Sequence, residues 1–454
     1  MDDGPHVGTR EYGRSAALLT IAVGVSGLLT YVFFALASHA LDRQEYGRIV
    51  VLWSVMFIAI SVLFRPVEQL LSRTIAERET HGQPVEATVR VAAQIQLLIA
   101  VAFTAVAFGF RGELEDRLFD GESLFFWALV ASVLGFAGSF FARGYLAGSG
   151  HFGLYSWLLL IDAVSRTSFA LAVAVGIAEG ADPIALGIAI APALSALVLP
   201  FAGRAGAIRS GGGPPHGDGG PEFTLAEGGA FAAAILLVMM SEQVFLNSGP
   251  LFARAERDAA AAGFIFNVLM IARAPVVLFQ AAATSLLPHL TRLRSRADES
   301  SEQAFQHSVV VTLAAIAGFA SLTMLAVAVA GPDLMQAAFG DKFEYDRLGL
   351  VIVSAGMGLY LAATTLNQAV LAQGQARRAA ACWAASAAAL LAWYAVPGVE
   401  IFRRIEIGFA AGAALLCILL LAVYRRPDPR PSDPIEPGSP QELEARLAAA
   451  DEAF

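Results

Sequence analysis

The stretch IVVLWSVMFIAISVLFRPVEQLLSR, residues 49–73, opens with sixteen uncharged residues and ends with two arginines, a proline, a glutamate and a glutamine. A helix needs about 20 mostly apolar residues to cross a bilayer. The uncharged part is too short for that, so the helix must continue into the polar part. The stretch therefore predicts a membrane-spanning helix whose last third carries charged and polar side chains.

The composition of the whole chain agrees with a membrane protein. Hydrophobic residues make up 57% of the 454 residues and charged residues only 15%, whereas about a quarter of the residues of a soluble domain are charged. Both cysteines, Cys382 and Cys417, lie inside apolar runs, and no Cys/His spacing indicates zinc. We predict an all-α polytopic membrane protein without a cofactor or metal.

Twelve segments are long and apolar enough to be predicted as spans. Arginines accumulate in every second connection, which places both termini in the cytoplasm by the positive-inside rule. The predicted spans are 15–41, 46–73, 87–110, 123–143, 152–178, 183–203, 228–248, 260–289, 304–330, 346–371, 377–397 and 401–424. The predicted organisation is a cytoplasmic leader (1–14), a first lobe of six helices (15–203), a Gly/Pro-rich cytoplasmic linker (204–227), a second lobe of six helices (228–424) and a cytoplasmic tail (425–454).

Two pairs of segments indicate that the second half repeats the first. YLAGSGHFGLYSW at 145–157 is similar to VLAQGQARRAAACW at 370–383, and QLLSRTIAER at 69–78 is similar to SLLPHLTRLR at 285–294. Six helices separate the equivalent segments, so the two halves should have the same orientation. We predict two six-helix repeats around a central cavity.

Polar residues in four spans supply the candidate site. In the second span, Arg65, Glu68 and Gln69 have the spacing that places side chains on one helical face, and Pro66 predicts a bend. Charged groups deep in a bilayer are costly, so they face a partner or a hydrated cavity. The predicted substrate-binding residues are Arg65, Glu68, Gln69, Arg166, Arg273 and Gln280, and the predicted ion-coupling residues are Asp162 and Glu242.

Four of these residues are open to more than one interpretation. Asp162 and Arg166 are spaced i, i+4 and could simply pair with each other. Arg65 could extend its head group to the cytoplasmic interface. Glu242 has no obvious partner on its own helix, and it is either a protonated acid in a neutral pocket or a cation or proton site.

The segment FFALASHALDRQEYGRIVVLWSV, residues 33–55, resembles the start of polysaccharide flippases, in which a short L-x-x-x-x-[FY]-G turn joins the first two helices. Here that turn is Leu41 to Gly47. In layout the whole chain resembles the multidrug/oligosaccharidyl-lipid/polysaccharide (MOP) exporter superfamily, and within it the Wzx-like flippase branch. The resemblance implies a MATE-like two-lobe bundle.

The same resemblance implies a function in polysaccharide biosynthesis. The protein would move an undecaprenyl-diphosphate-linked oligosaccharide from the inner to the outer leaflet of the bacterial plasma membrane by alternating access. Arg65, Arg166 and Arg273 are our candidates for holding the anionic substrate. Expected partners are membrane lipid and, by family, a polysaccharide polymerase and glycosyltransferases, with no nucleic acid.

Other classes remain as alternatives. A multidrug exporter of the same superfamily, coupled to cations, shares the fold. A lipid II flippase generally carries two further helices, and a major facilitator normally carries a G-x-x-x-D-[RK]-x-G-R-like motif that the 74–86 connection lacks. A polymerase-type membrane enzyme needs a sizeable external loop that the predicted topology does not provide, and a membrane scaffold that does not transport is the remaining alternative. We therefore expect a transporter and not an enzyme.

Overall fold

The structure, a computed structural model, describes residues 6–80, 82–198, 225–283 and 299–426. These ranges are almost entirely helical and contain no strand. The long helices are α1 (His6–Ala40), α2 (Arg43–Leu63), α3 (Arg65–Thr80), α4 (Glu86–Gly109), α5 (Ser123–Gly148), α6 (Phe152–Ala174), α7 (Asp182–Ser195), α8 (Leu225–Glu256), α9 (Ala259–Ala283), α10 (Glu299–Phe339), α11 (Arg347–Ala372), α12 (Ala376–Tyr394) and α13 (Ile401–Tyr424).

The membrane-spanning character of the chain follows from these helices. In the described part of the chain, nine segments are long and apolar enough to cross a bilayer, with α2 and α3 counted as one. Two shorter apolar stretches, Asp182–Val198 and Ala259–Ala274, fall in α7 and α9. The predicted all-helical membrane architecture is confirmed. Within the described residues each of the twelve predicted spans overlaps one or two helices, and nine segments are long and apolar enough to cross a bilayer.

The second predicted span consists of two helices. The side chain of Asp42 accepts hydrogen bonds from the backbone of Gln44 and Glu45 and so caps α2. The chain leaves the helix at Phe64, and α3 starts at Arg65 with Pro66 in its first turn. Proline lacks a backbone N–H and clashes with the carbonyl one turn earlier, so it fits best in the first turn of a helix. Pro66 therefore produces the interruption that the sequence predicts as a bend.

The ends of the predicted segments also shift. The first helix begins at His6, inside the predicted leader 1–14. Residues 6–40 contain no proline, so nothing in this stretch prevents the helix from beginning at His6. The predicted linker 204–227 and tail 425–454 lie outside the described residues except for 225–227 and 425–426.

The chain divides into two compact units. The first unit comprises Met1–Gly220 together with Arg257–Gly263. In it α6 packs against α1 and α7, and α5 packs against α3 and α7. The start of α9 belongs to this unit because α2 approaches it closely: a Cβ on Gly47 would lie 1.8 Å from the carbonyl oxygen of Ala259.

The second unit comprises Pro221–Glu256 and Phe264–Phe454. Its α11 packs against α10 and α13, and its α12 packs against α8 and α13. Aromatic rings form its centre, where Phe245 of α8 contacts Tyr360, Trp383 and Phe409. Trp383 is buried and its indole N–H donates to the side-chain oxygen of Asn367 over 2.9 Å, so this polar group is satisfied inside the unit.

Candidate functional site

One group of polar residues joins α3, α5 and α6 in the first unit. Glu68 of α3 accepts a hydrogen bond from the hydroxyl of Tyr155 of α6, with 3.1 Å between Oη and Oε1. Arg143 of α5 and Arg65 of α3 both interact electrostatically with the Glu68 carboxylate. Two guanidinium groups thus act on one carboxylate. We call Arg65, Glu68, Arg143 and Tyr155 the Glu68 cluster.

Two glycines of α5 bring the Glu68 cluster together. A Cβ on Gly144 would lie 2.7 Å from the backbone oxygen of Glu68, and one on Gly148 would lie 2.6 Å from the backbone oxygen of Ser72. Small residues allow helix backbones to approach closely in membranes. Gly144 follows Arg143 directly, so the close approach fixes the Arg143 side chain beside Glu68.

The guanidinium of Arg143 lies against aromatic rings. Its central carbon is 4.9 Å from the ring centroid of Phe140 and 6.0 Å from that of Phe136, within the range of cation–π attraction. Its Nε atom is buried and has no hydrogen-bond partner. In the part of the chain that the structure describes, Arg143 makes no hydrogen bond or ion pair, which leaves its donors available.

A second group is the buried ion pair of Asp162 and Arg166 on α6. Oδ2 of Asp162 lies 2.5 Å from Nη1 of Arg166, and the two residues are 4% and 7% exposed. Nη2 of Arg166 donates to the hydroxyl of Thr30 of α1 over 3.1 Å, and the guanidinium lies 5.2 Å from the ring centroid of Trp53. The i, i+4 pairing that the sequence left open is therefore present in the structure.

Glu242 lies on α8 in the second unit, beside the aromatic centre. The hydroxyl of Tyr360 of α11 donates to its Oε1 over 3.4 Å. On the next turn of α8, the side-chain amide of Asn247 donates to Gln243 over 2.9 Å. Tyr360 belongs to a different helix from Glu242, so the spacing of residues along α8 could not reveal this contact.

The remaining predicted residues lie on α3 and α9. Gln69 is half-buried and follows Glu68 on α3, and Arg273 is exposed on α9. The side chain of Gln280 lies outside the described residues, although its backbone belongs to α9. The structure thus divides the eight predicted site residues between the two units, with five in the first and three in the second.

A third group was not predicted and lies where α11 and α13 begin. Glu406 is fully buried, accepts a hydrogen bond from the hydroxyl of Tyr345 over 2.6 Å and receives Nη1 of Arg403 at 2.7 Å. Arg403 also pairs with Asp346, which caps α11 through the backbone N–H of Gly349. We call Tyr345, Asp346, Arg403 and Glu406 the Glu406 network.

The Glu406 network borders a cavity of about 360 Å³ that Phe264, Phe402, Glu344 and Glu400 also line. Tyr345 lies between the spans. Burial raises the pKa of its hydroxyl above the ordinary value, and the Glu406 carboxylate raises it further. Tyr345 therefore stays a hydrogen-bond donor at neutral pH and holds Glu406 in place.

Known structures with the same arrangement of helices are transporters. An inward-facing multidrug resistance MATE family transporter of the MOP superfamily matches with a TM-score of 0.64 at 12% identity, over 88% of this chain and 94% of that one. A mutant of the Vibrio cholerae MATE transporter VcmN matches with a TM-score of 0.58 at 15% identity, over 91% and 97%. The fold is that of a MATE transporter. A MOP superfamily transporter from Pyrococcus furiosus, described as having a binding pocket of reverse polarity, matches with a TM-score of 0.57 at 14% identity, over 91% and 94%.

By sequence alone, no protein-family model and no curated protein matches this chain. The MATE fold is therefore established by structure, and it confirms the predicted two-lobe helical fold class. The solved neighbours are transporters and not enzymes, in agreement with the expectation from the missing external loops. At identities of 12 to 15%, the likeness to these transporters shows a shared fold and does not indicate the substrate.

Sequence reasoning missed several residues that this MATE fold brings to the predicted ones. Arg143 is the single charged residue of Ser123–Gly148, and that isolation is the signal that could have identified it. Glu406 lies three residues after Arg403 on α13, and that i, i+3 spacing of opposite charges is the signal that could have identified it. Tyr155 and Thr30 had no such signal, because a lone hydroxyl in an apolar helix is common.

Proposed function

We propose that the protein is a flippase that moves an undecaprenyl-diphosphate-linked oligosaccharide from the inner to the outer leaflet of the bacterial plasma membrane. The MATE fold supports transport in general. The charge of the Glu68 cluster supports an anionic substrate, because Arg65 and Arg143 act on the single carboxylate of Glu68. This excess of positive charge within the spans is the observation that carries the proposal.

In this mechanism the arginines hold the diphosphate while the polyprenyl tail remains in lipid. Guanidinium groups bind phosphate oxygens through paired N–H donors and keep their charge at all accessible pH values. Substrate drives the change of access only through unequal affinity for the two states. Arg166 and Arg273 are further candidate contacts, with Glu68, Gln69 and Gln280 as hydrogen-bonding groups.

Ion coupling is part of the proposal and rests on the two acids. Asp162 is already paired with the positive charge of Arg166, whose Nη1 lies 2.5 Å from Oδ2 of Asp162. Among the described residues, Glu242 accepts a hydrogen bond from the neutral hydroxyl of Tyr360. Glu242 is therefore the better candidate for binding a proton or cation. A polysaccharide polymerase and glycosyltransferases are the proposed partners on either side of the transport step.

The test is made in cells. In a strain that lacks the protein, polyprenyl-linked intermediates are measured by mass spectrometry, and a glycosidase restricted to the periplasm reports which leaflet holds them. We expect a complete lipid-linked oligosaccharide to accumulate in a protected form. The wild-type protein and the control Arg90→Ala, an exposed arginine of α4, should restore transport, and Arg65→Ala should not.

Accumulation that is fully accessible to the glycosidase, or restoration by Arg65→Ala, would contradict the proposal. The second candidate is a multidrug exporter of the same fold, which is favoured by the likeness to a multidrug resistance MATE transporter. That candidate predicts no accumulated lipid-linked sugar and an increased sensitivity of the deletion strain to cationic dyes.

A further inference from the structure

We infer that Arg143 is a direct ligand of a phosphate-bearing lipid headgroup, with the Glu68 cluster as its binding site in the first unit. Where the ligand is a prenyl diphosphate, the inference rests on the proposed function and extends it to a residue that is not among the predicted site residues.

Arg143 has hydrogen-bond donors that no described residue uses. An arginine carries five N–H donors, and a buried polar group without a partner is costly. The Nε atom of Arg143 is buried and unpartnered, and the described residues provide no hydrogen bond or ion pair to its guanidinium. Arg48 of α2, in the same unit, also lies over a ring, 5.6 Å from the Phe125 centroid, and its Nε is likewise buried without a partner. The two arginines differ at their terminal nitrogens, because Nη1 of Arg48 pairs with Glu122 over 3.1 Å and Arg143 has no such pair among the described residues.

The Glu68 cluster has an excess of positive charge. Arg65 and Arg143 both act on Glu68, so the three residues carry one net positive charge when Glu68 is ionised. Tyr155 already gives Glu68 a neutral partner at 3.1 Å. A phosphate could therefore take the guanidinium groups while Glu68 keeps its hydrogen bond to Tyr155, and no carboxylate would be left without a donor.

Neighbouring rings and a close helix contact hold the Arg143 side chain in place. The rings of Phe140 and Phe136 support one side of the guanidinium, and the close approach at Gly144 fixes the backbone next to it. A planar guanidinium held in this way has lost much of its freedom before binding, which reduces the entropic cost of binding a phosphate. Arginine suits two adjacent phosphate oxygens because of its fork of parallel donors.

The experiment measures binding to the full-length protein in detergent by microscale thermophoresis. The probes are geranylgeranyl diphosphate, geranylgeranyl monophosphate, short-chain phosphatidylglycerol and the uncharged geranylgeraniol. The variants are Arg143→Gln, the matched control Arg48→Gln and Glu68→Gln. We expect Arg143→Gln to weaken phosphate binding about tenfold or more, as for the loss of a charge-assisted hydrogen bond, while Arg48→Gln leaves it unchanged.

Glu68→Gln should tighten phosphate binding, because it removes the competing negative charge. Opposite effects of Arg143→Gln and Glu68→Gln are not expected from a residue that only packs against phenylalanines. If Arg143→Gln does not purify as a single species, Arg143→Lys decides instead. It keeps the charge without the fork and should bind more weakly than wild type, so equal affinity would overturn the inference.

The probes separate this inference from the proposed function. Prenyl diphosphate that binds wild type and depends on Arg143 supports both. Binding of phosphatidylglycerol alone, with the same dependence, supports the phosphate site and contradicts the flippase proposal. Prenyl diphosphate that binds wild type and Arg143→Gln equally overturns the inference and leaves the flippase proposal intact. Geranylgeraniol that binds as tightly as the phosphates also overturns it.

Discussion

Replacing Gly144 with alanine tests whether the close approach of α3 and α5 holds the Glu68 cluster together. The new Cβ would lie 2.7 Å from the backbone oxygen of Glu68 and 3.1 Å from its Cα. Ordinary van der Waals contact begins at 3.4 Å, so the two helices must separate locally by about 0.7 Å. Backbone atoms on a packed helix cannot turn aside as a flexible side chain can, and overpacking of this kind costs about 1 to 3 kcal/mol.

The matched control is Gly138→Ala on the same helix. Gly138 is exposed, and a Cβ there would meet nothing within 4 Å. Alanine favours the helix over glycine by about 0.5 to 1 kcal/mol in general, so Gly138→Ala should match or exceed wild type in stability. The two variants add the same methyl group, and only its surroundings differ.

The assay is thermal unfolding of the detergent-purified protein, followed by fluorescence-detected size exclusion. We expect Gly144→Ala to unfold at a lower temperature than both wild type and Gly138→Ala, and to lose phosphate binding at the Glu68 cluster. Equal unfolding temperatures for the two alanine variants would refute the reasoning, since they would mean that α3 and α5 do not pack through Gly144.

Two further predictions concern the other polar groups. Arg166→Gln should destabilise the protein by about 3 to 5 kcal/mol, because it leaves the buried Asp162 carboxylate unpaired, and adding Asp162→Asn should recover part of that loss; a double variant no more stable than the single one in the same thermal assay would contradict the pairing. The pKa of Tyr345 is raised in the folded protein, so its stabilising contribution is full at pH values below the ordinary tyrosine pKa of about 10 and falls as the pH rises above that. Thermal unfolding from pH 7 to 10.5 should therefore show a steeper alkaline loss for wild type than for Tyr345→Phe, and identical slopes would refute this origin.

Much of the fold could be predicted because the membrane imposes it. Apolar runs of about 20 residues must form helices in lipid, where every backbone N–H and C=O has to be satisfied within the segment. The twelve predicted spans follow from that rule, and each overlaps a helix in the described residues, where nine segments are long and apolar enough to cross a bilayer. The bend at Pro66 was predicted from the missing N–H of proline, but that local property does not decide the outcome by itself, because Pro192, Pro250 and Pro332 lie inside continuous helices.

Helix–helix contacts could not be predicted in the same way. In a soluble protein an apolar face indicates the core, but in a membrane the faces toward lipid and toward neighbouring helices are both apolar, so the pattern does not distinguish them. The sequence therefore determined that Glu68 and Arg65 share a face, and that Asp162 and Arg166 are one turn apart. It contained no sign that Arg143 lies beside Glu68.

Only the tertiary structure decided the partners that come from other helices. Tyr155 reaches Glu68 across 87 residues of sequence, and Tyr345 reaches Glu406 across 61. Such contacts depend on how close two backbones can come, and glycines such as Gly144 set that distance by the absence of a side chain. The sequence determined the helices and the charges within them because those depend on the chain's own residues and on lipid; the structure decided which charges meet, because that depends on the packing of helices against one another.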